Sequence, residues 1–157
     1  MSLSPLVHEL ISLPGNPGLA GLGAVVEGVA ADDVGAVAHI AQAEQVDLVV
    51  VGPEAPLAAG IVDALESKGI AAFGPSKAAA RLEGSKKFAK EIMDRSGVAT
   101  AAWQTFTEKE AAMAYLAETT GPYVVKADGL AAGKGVLVTD DLAEAGAWVE
   151  RCLDGGF

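Results

Sequence analysis

The sequence predicts an α/β protein, with a doubly wound parallel-sheet domain at the N-terminus and a smaller α+β unit after it. Three observations carry that prediction. Short apolar runs ending in Gly-Pro alternate with stretches of helical spacing as far as Pro75. The run at 46–51, VDLVVV, is almost wholly apolar, as in a strand covered on both faces of a parallel sheet. Beyond residue 97 the order changes, and two strands joined by a glycine-rich turn stand among helical patterns.

Taken in order, residues 4–13 fit two readings. Leu6, Val7, Leu10 and Ile11 have helical spacing, yet Pro14-Gly15 cut the segment short and a strand fits equally well. Asp32 and Asp33 open a helix through Val34, Val37, Ile40 and Ala41, because acids suit the positive end of the helix dipole. The strand at 46–51 ends at Gly52-Pro53. Leu57, Ile61, Val62 and Leu65 then read as one helix closed by Gly69, and 70–73 is the next strand, stopped by Gly74-Pro75. A helix over 85–95 follows. The second part reads strand 103–106, helix 108–117, strand 123–126, strand 136–138 and helix 142–153. The Gly, Val, Ala and Thr residues between Gly97 and Trp103 place the boundary there, dividing the chain into 1–102 and 103–157. Trp103 and Trp148 read as core or interface residues.

Composition narrows the function classes. Of 157 residues, 51% are hydrophobic and 20% charged, which is enough apolar content for a core and argues against disorder. Eleven Lys and Arg against 21 Asp and Glu give a formal charge of −10, a field that repels a phosphate polymer, so no nucleic-acid partner is expected. A small anion remains compatible if the few cations gather. Cys152, the single cysteine, leaves no internal disulfide and no multi-cysteine zinc site in this sequence. His8 and His39 are too scattered to mark a metal centre. Gly, Pro and charges break every apolar stretch before the ~20 residues a membrane helix requires, and residues 1–5 lack the features of a signal peptide. A cytoplasmic chain with no membrane partner is the expectation.

The chemistry concentrates in a few loops. Lys126-Ala-Asp128-Gly129-Leu-Ala-Ala-Gly133-Lys134-Gly135 joins two strands, combining glycines that let backbone N–H groups approach a phosphate with a lysine near each end. It is not a Walker loop, which has four residues between its glycines and Ser or Thr after its lysine. A flexible hairpin carrying solvated lysines fits the pattern equally well. Lys86 and Lys90 share one helix face, with Lys87 beside them and Phe88 and Ile92 opposite, which is either an anion site or a solvated face. Gly52-Pro53-Glu54-Ala-Pro56 follows the carboxyl end of a strand, where open α/β sheets bind ligands. By pattern alone the segment reads first as a Pro-stiffened turn with Glu54 as a first-turn acid. Pro14-Gly15-Asn16-Pro-Gly18 is either a turn or a phosphate-contacting loop, and Gly21-x-Gly23 lacks the rest of a dinucleotide fingerprint.

Together these segments resemble the phosphoribosylamine–glycine ligase (glycinamide ribonucleotide synthetase) family of the ATP-grasp superfamily. PGNPG at 14–18, DLVVVGPEAPL at 47–57, FGPSKAAARLEGSKKFAK at 73–90 and VVKADGLAAGKGV at 124–136 occur in the family's order. The resemblance implies a pre-ATP-grasp domain lacking its first strand and Gly-rich loop over 1–102, and a truncated ATP-grasp small subdomain over 103–157. It implies ATP-dependent ligation of glycine to 5-phosphoribosylamine with Mg²⁺ or Mn²⁺, through glycyl phosphate, in purine biosynthesis. Lys86, Lys126, Asp128, Gly129, Gly133, Lys134 and Gly135 would serve ATP, the glycine turn as a mobile loop. Pro14, Gly15, Asn16, Gly52, Pro53 and Glu54 would lie on the sugar-phosphate side. No catalytic residue and no metal ligand is assigned within these residues, so an N-terminal portion, monomeric and inactive by itself, is expected. The alternatives are another ATP-grasp ligase, such as a carboxyaminoimidazole ribonucleotide synthase, or a non-catalytic nucleotide-binding fragment.

Overall fold

The computed structural model describes residues 3–131 and 133–155. The chain divides into two compact units, Met1–Ala80 and Arg81–Phe157. This division falls earlier than the 102/103 boundary expected from composition. The helix after Ser85 accounts for the difference, since its first turn is hydrogen-bonded to Asp128 of the second unit.

The first unit contains β1 (Ile11–Ser12), α1 (Pro17–Ala20), β2 (Ala24–Val25), α2 (Val34–Ala43), β3 (Leu48–Val50), α3 (Glu54–Ala59), α4 (Ile61–Ser67) and β4 (Ala71–Phe73). The helix α5 (Lys77–Gly84) crosses the division. Parallel pairing is present twice: β1 with β2, Ile11 opposite Ala24, and β3 with β4, Val49 opposite Ala72. Within residues 4–13, then, the strand reading holds for Ile11 and Ser12. Asp33 caps α2 by accepting from the Ala36 N–H at 3.0 Å, in line with its place before an apolar periodic segment.

Ile61 and Leu65 are fully buried, packed with Val62 and with Ala38 and Ala41 of α2. The two alanines present little bulk, so α2 and α4 approach closely and the branched residues of α4 fill the space between them. Two expectations are corrected in this unit. The single helix through 57–65 is two helices, broken at Gly60, whose φ of +100° belongs to glycine and ends α3 before α4 begins. The strand at 46–51 is reduced to Leu48–Val50 and is covered on one face only. Val49 packs on the core while Leu48 and Val50 remain 49% and 46% exposed.

The second unit contains α6 (Lys86–Arg95), α7 (Lys109–Glu118), β5 (Tyr123–Lys126), β6 (Val136–Thr139) and α8 (Leu142–Leu153). β5 and β6 pair antiparallel, and α7 and α8 supply Ala112, Leu116, Ala145 and Val149 to a core that also takes up Tyr123, Val125 and Phe106. Asp141 caps α8, and Lys109 Nζ meets Glu150 Oε1 at 2.6 Å to link α7 and α8. The expected strand at 103–106 is absent. That segment is irregular, and the Trp103 indole N–H donates to Asp94 Oδ2 at 3.1 Å, a bond to α6 in place of a strand partner. No helix among the described residues is long and apolar enough to cross a membrane.

Burial sets the first test. Leu65→Ala removes a fully buried side chain and is expected to cost about 2–5 kcal/mol. Leu48→Ala, on the uncovered face of β3, should cost about 1 kcal/mol or less. Urea unfolding of the two variants decides it, and equal midpoints would contradict this core assignment.

Candidate functional site

The antiparallel pair of the second unit sorts its side chains by alternation. Tyr123 and Val125 turn to the helices and the core. Val124, Lys126, Val136 and Val138 share the other face, with Lys126 opposite Val136 and Val124 opposite Val138. That face is open: the three valines are 42–65% exposed, and Leu130 at the start of the turn is 47% exposed. An apolar surface edged by one ammonium group can take a flat ring on the valines and an anionic group at the lysine.

The glycine turn leaves the end of β5. Gly129 and Gly133 have φ of +92° and +76°, conformations that L side chains rarely adopt. Gly135 is required for another reason, since a Cβ there would lie 2.7 Å from the Ala131 Cβ and 3.1 Å from that of Ala127. The Ala127 N–H donates to the Gly135 carbonyl at 2.7 Å and closes the base of the turn, while the Lys134 N–H donates to the Ala131 carbonyl. Ala132, within the same turn, lies outside the described residues.

The base of this turn is tied to α6. Ser85 caps α6 by accepting from the Phe88 N–H at 3.1 Å, and its hydroxyl donates to Asp128 Oδ2 at 3.0 Å. The Lys87 N–H donates to Asp128 Oδ1 at 3.2 Å. In the opposite direction, Lys86 Nζ donates to the Gly129 carbonyl at 2.9 Å. Partial burial lifts the Asp128 carboxyl. The bonds from the Lys87 N–H, the Ser85 hydroxyl and the Lys86 and Gly129 N–H groups outweigh it and hold the group below its ordinary value of 3.8. Lys90 Nζ is bonded to the Thr100 hydroxyl and the Ala101 carbonyl. Of the lysine group only the Lys87 side chain points away, and it is exposed. Arg81 adds a further tie, its guanidinium 3.8 Å over the Phe88 ring.

In the first unit, the 14–18 segment is built as a helix start. Asn16 caps α1 through its Oδ1, which accepts from the Gly18 and Leu19 N–H groups, both at 3.0 Å. Gly15 faces β2 so closely that a Cβ would stand 1.9 Å from Val25 Cγ1. Gly52 and Pro53 follow β3 directly, and Glu54 begins α3, where its charge suits the helix dipole. A small cavity of about 60 Å³ at this end of β3 brings Leu13, just before Pro14, together with Gly52 and Pro53. Pro14, Gly15, Asn16 and Glu54 do not themselves line that cavity.

Sequence reasoning named the lysines and glycines but missed the Ser85–Asp128 tie. Ser85 carried a local sign as a serine preceding a helix, but its partner lies 43 residues away. Burial pushes the Cys152 thiol up, against the opposing influence of Arg151. Among the described residues, no three His, Cys, Asp or Glu side chains gather into a group that could hold a metal ion.

Comparison with known proteins adds an independent line. Residues 1–83 match the phosphoribosylglycinamide synthetase N-domain family, and residues 84–157 match the ATP-grasp (A) domain of phosphoribosylglycinamide synthetase. The chain is similar to a phosphoribosylamine–glycine ligase of Allochromatium vinosum, 51% identical over 154 residues that cover 98% of this chain and 36% of that protein. A phosphoribosylamine–glycine ligase of Pasteurella multocida is 52% identical over 154 residues, 97% of this chain and 36% of its own length. The crystal structure of phosphoribosylamine–glycine ligase from Thermotoga maritima superposes with a TM-score of 0.69 at 30% identity, over 91% of this chain and 32% of that one. The chain thus spans about a third of the length of these relatives.

The Asp128 bonds give a pH prediction. A carboxyl held below its unfolded value contributes stability above that value and loses it as pH falls through the folded one. The stability difference between the parent and Asp128→Asn should therefore be constant near neutral pH and shrink as pH falls below about 3.8. Paired denaturant titrations across that range test it, and a difference that grows on acidification would reverse the assignment.

Proposed function

The chain belongs to the phosphoribosylglycinamide synthetase family, and we propose that its residues serve the ATP-dependent joining of glycine to 5-phosphoribosylamine. In this reading the first unit is part of a doubly wound pre-ATP-grasp domain and the second is part of an ATP-grasp subdomain. The observation that carries it is the open valine face of β5 and β6, with Lys126 at its edge and the glycine turn next in the chain. An adenine ring would lie on Val124, Val136 and Val138, and the phosphates would meet Lys126, Lys86, Lys134 and the backbone of Gly129, Gly133 and Gly135. Asp128 would act on the nucleotide through the bonds it makes to α6. Pro14, Gly15, Asn16, Gly52, Pro53 and Glu54 would border the sugar phosphate.

The chemistry asks for placement and charge neutralisation more than for a protein nucleophile. The glycine carboxylate attacks the γ-phosphorus of ATP, the bond to the β-phosphate oxygen breaks, and glycyl phosphate and ADP form. The amine of phosphoribosylamine then attacks the glycyl carbonyl, phosphate leaves with the electron pair of the C–O bond, and the nitrogen loses a proton. The lysines would offset the charge that builds on the γ-phosphate. A divalent cation would share that task through ligands outside the described residues.

Two lysines separate this reading from a solvated hairpin. Lys126→Ala should weaken Mg²⁺–ATP binding about ten- to a hundredfold, the loss of a charge-assisted hydrogen bond of roughly 1.5–3 kcal/mol. Lys87→Ala keeps the backbone N–H that Asp128 uses and should change affinity by about twofold or less. Calorimetric titration with thermal melts measures both, and equal affinities would remove Lys126 from the nucleotide site. Phosphate release that requires glycine and phosphoribosylamine together supports the substrate assignment. Release stimulated by bicarbonate instead would favour a different ATP-grasp ligase.

A further inference from the structure

The helix α6 carries three of the lysines discussed above, and its apolar residues Phe88, Ile92 and Met93 are only partly buried. Packing alone therefore holds α6 weakly, and polar bonds help to set its position. Those bonds sit at two places. Lys90 and Asp94 hold the middle and end of α6 to Thr100, Ala101 and Trp103. The N-terminus is held by Asp128, whose two oxygens accept from the Ser85 hydroxyl and the Lys87 N–H on either side of Lys86. Lys86 in turn donates to the carbonyl of Gly129, the residue after Asp128. The two bonds run in opposite directions between the same two chain segments, so the start of α6 can neither slide along the end of β5 nor rotate about it without breaking one of them.

We propose that Asp128 is a positioning residue: its carboxylate fixes the start of α6 to the end of β5 and thereby sets where the Lys86 ammonium stands relative to Lys126. Asp128 reaches no ligand itself. It holds the Ser85 hydroxyl and the Lys87 N–H on either side of Lys86, and it lies two residues beyond Lys126 in the chain, so one carboxylate ties the segment that bears Lys86 to the segment that bears Lys126. The consequence for ATP rests on the nucleotide reading given above, whereas the clamp does not.

The test separates the two. Hydrogen exchange of the ligand-free protein should show the amides of Lys87 and Phe88 exchanging about tenfold faster in Asp128→Ala, with the amides of α7 and α8 unchanged. Asp128→Asn, which keeps an acceptor oxygen, should restore part of the protection, and Ser85→Ala should give a smaller loss of the same kind. Mg²⁺–ATP affinity should fall about tenfold in Asp128→Ala and recover in part in Asp128→Asn. Leu116→Ala, a core change in the same unit, should lower Tm without changing that affinity. Unchanged first-turn exchange in both Asp128→Ala and Ser85→Ala would overturn the clamp. Weaker ATP binding with unchanged exchange would make Asp128 a direct ligand contact and overturn the positioning role. If the parent binds no ATP, the nucleotide reading fails, and the exchange result alone decides whether Asp128 positions α6. Should Asp128→Ala not fold, Asp128→Asn and Ser85→Ala carry the same comparison.

Discussion

The second unit depends on a single constraint: α6, none of whose residues is buried outright, must be held in place with the help of polar bonds. Helices α7 and α8 bury Leu116 and Val149, and the hydrophobic effect locates them. α6 sets only partly buried Phe88, Ile92 and Met93 beside Lys86, Lys87, Lys90, Glu91, Asp94 and Arg95, so directional bonds contribute to its position. Asp128 answers this by meeting the helix where N–H groups lack intrahelical partners. The bond strength there derives from charge, since a carboxylate accepting backbone and hydroxyl hydrogens is stronger than a neutral pair. A site that must bring cations to an anion gains from this arrangement. The lysines stay near solvent, where a buried helix would demand their desolvation.

The hairpin of β5 and β6 shows the complementary solution. Its inner face is committed to α7 and α8, which fixes the register, because a slip by one residue would expose Tyr123 and Val125 and bury Lys126. The outer face is therefore free to be apolar and open without loss of order. Rigidity comes from one side and accessibility from the other. The base of the glycine turn inherits that order through the bond from Ala127 to Gly135, so residues with positive φ at 129 and 133 spring from a fixed frame.

Much of this was legible in the sequence, and what was not has identifiable causes. Alternation foretold that Lys126 and Val125 face opposite ways, and the acids before Val34 marked a helix start that the structure caps with Asp33. The split between α3 and α4 was hidden because Gly60 falls inside an unbroken helical period, where glycine is tolerated. The aromatic residues of 103–106 suggested a strand, but Trp103 spends its N–H on Asp94 and the segment finds no strand partner. VDLVVV read as doubly covered because composition reports apolarity and not what lies opposite each face. Leu48 and Val50 remain partly open. The Ser85–Asp128 bond joins residues 43 apart, and no local pattern announces a contact of that separation.

The glycines illustrate why a motif needs its geometry before it acquires a function. In PGNPG and in GLAAGKG the same residue invites the same thought, a backbone laid bare for phosphate. Gly15, however, is glycine because the Val25 side chain occupies the place of its Cβ, and Asn16 beside it spends its side chain on capping α1. Gly135 is glycine because Ala127 and Ala131 press against it, whereas a Cβ at Gly129 or Gly133 would meet nothing and their φ values alone demand glycine. Packing therefore accounts fully for the first pair of loop glycines to be considered, Gly15 and Gly135, and leaves Gly129 and Gly133 with conformation but no neighbour. Space beside a left-handed backbone is what an incoming anion requires, and in the second unit that space opens at Gly129, whose carbonyl accepts from Lys86 Nζ. The physical case for a phosphate site is thus stronger at 129–133 than at 14–18, although the two sequences look equally suited to it.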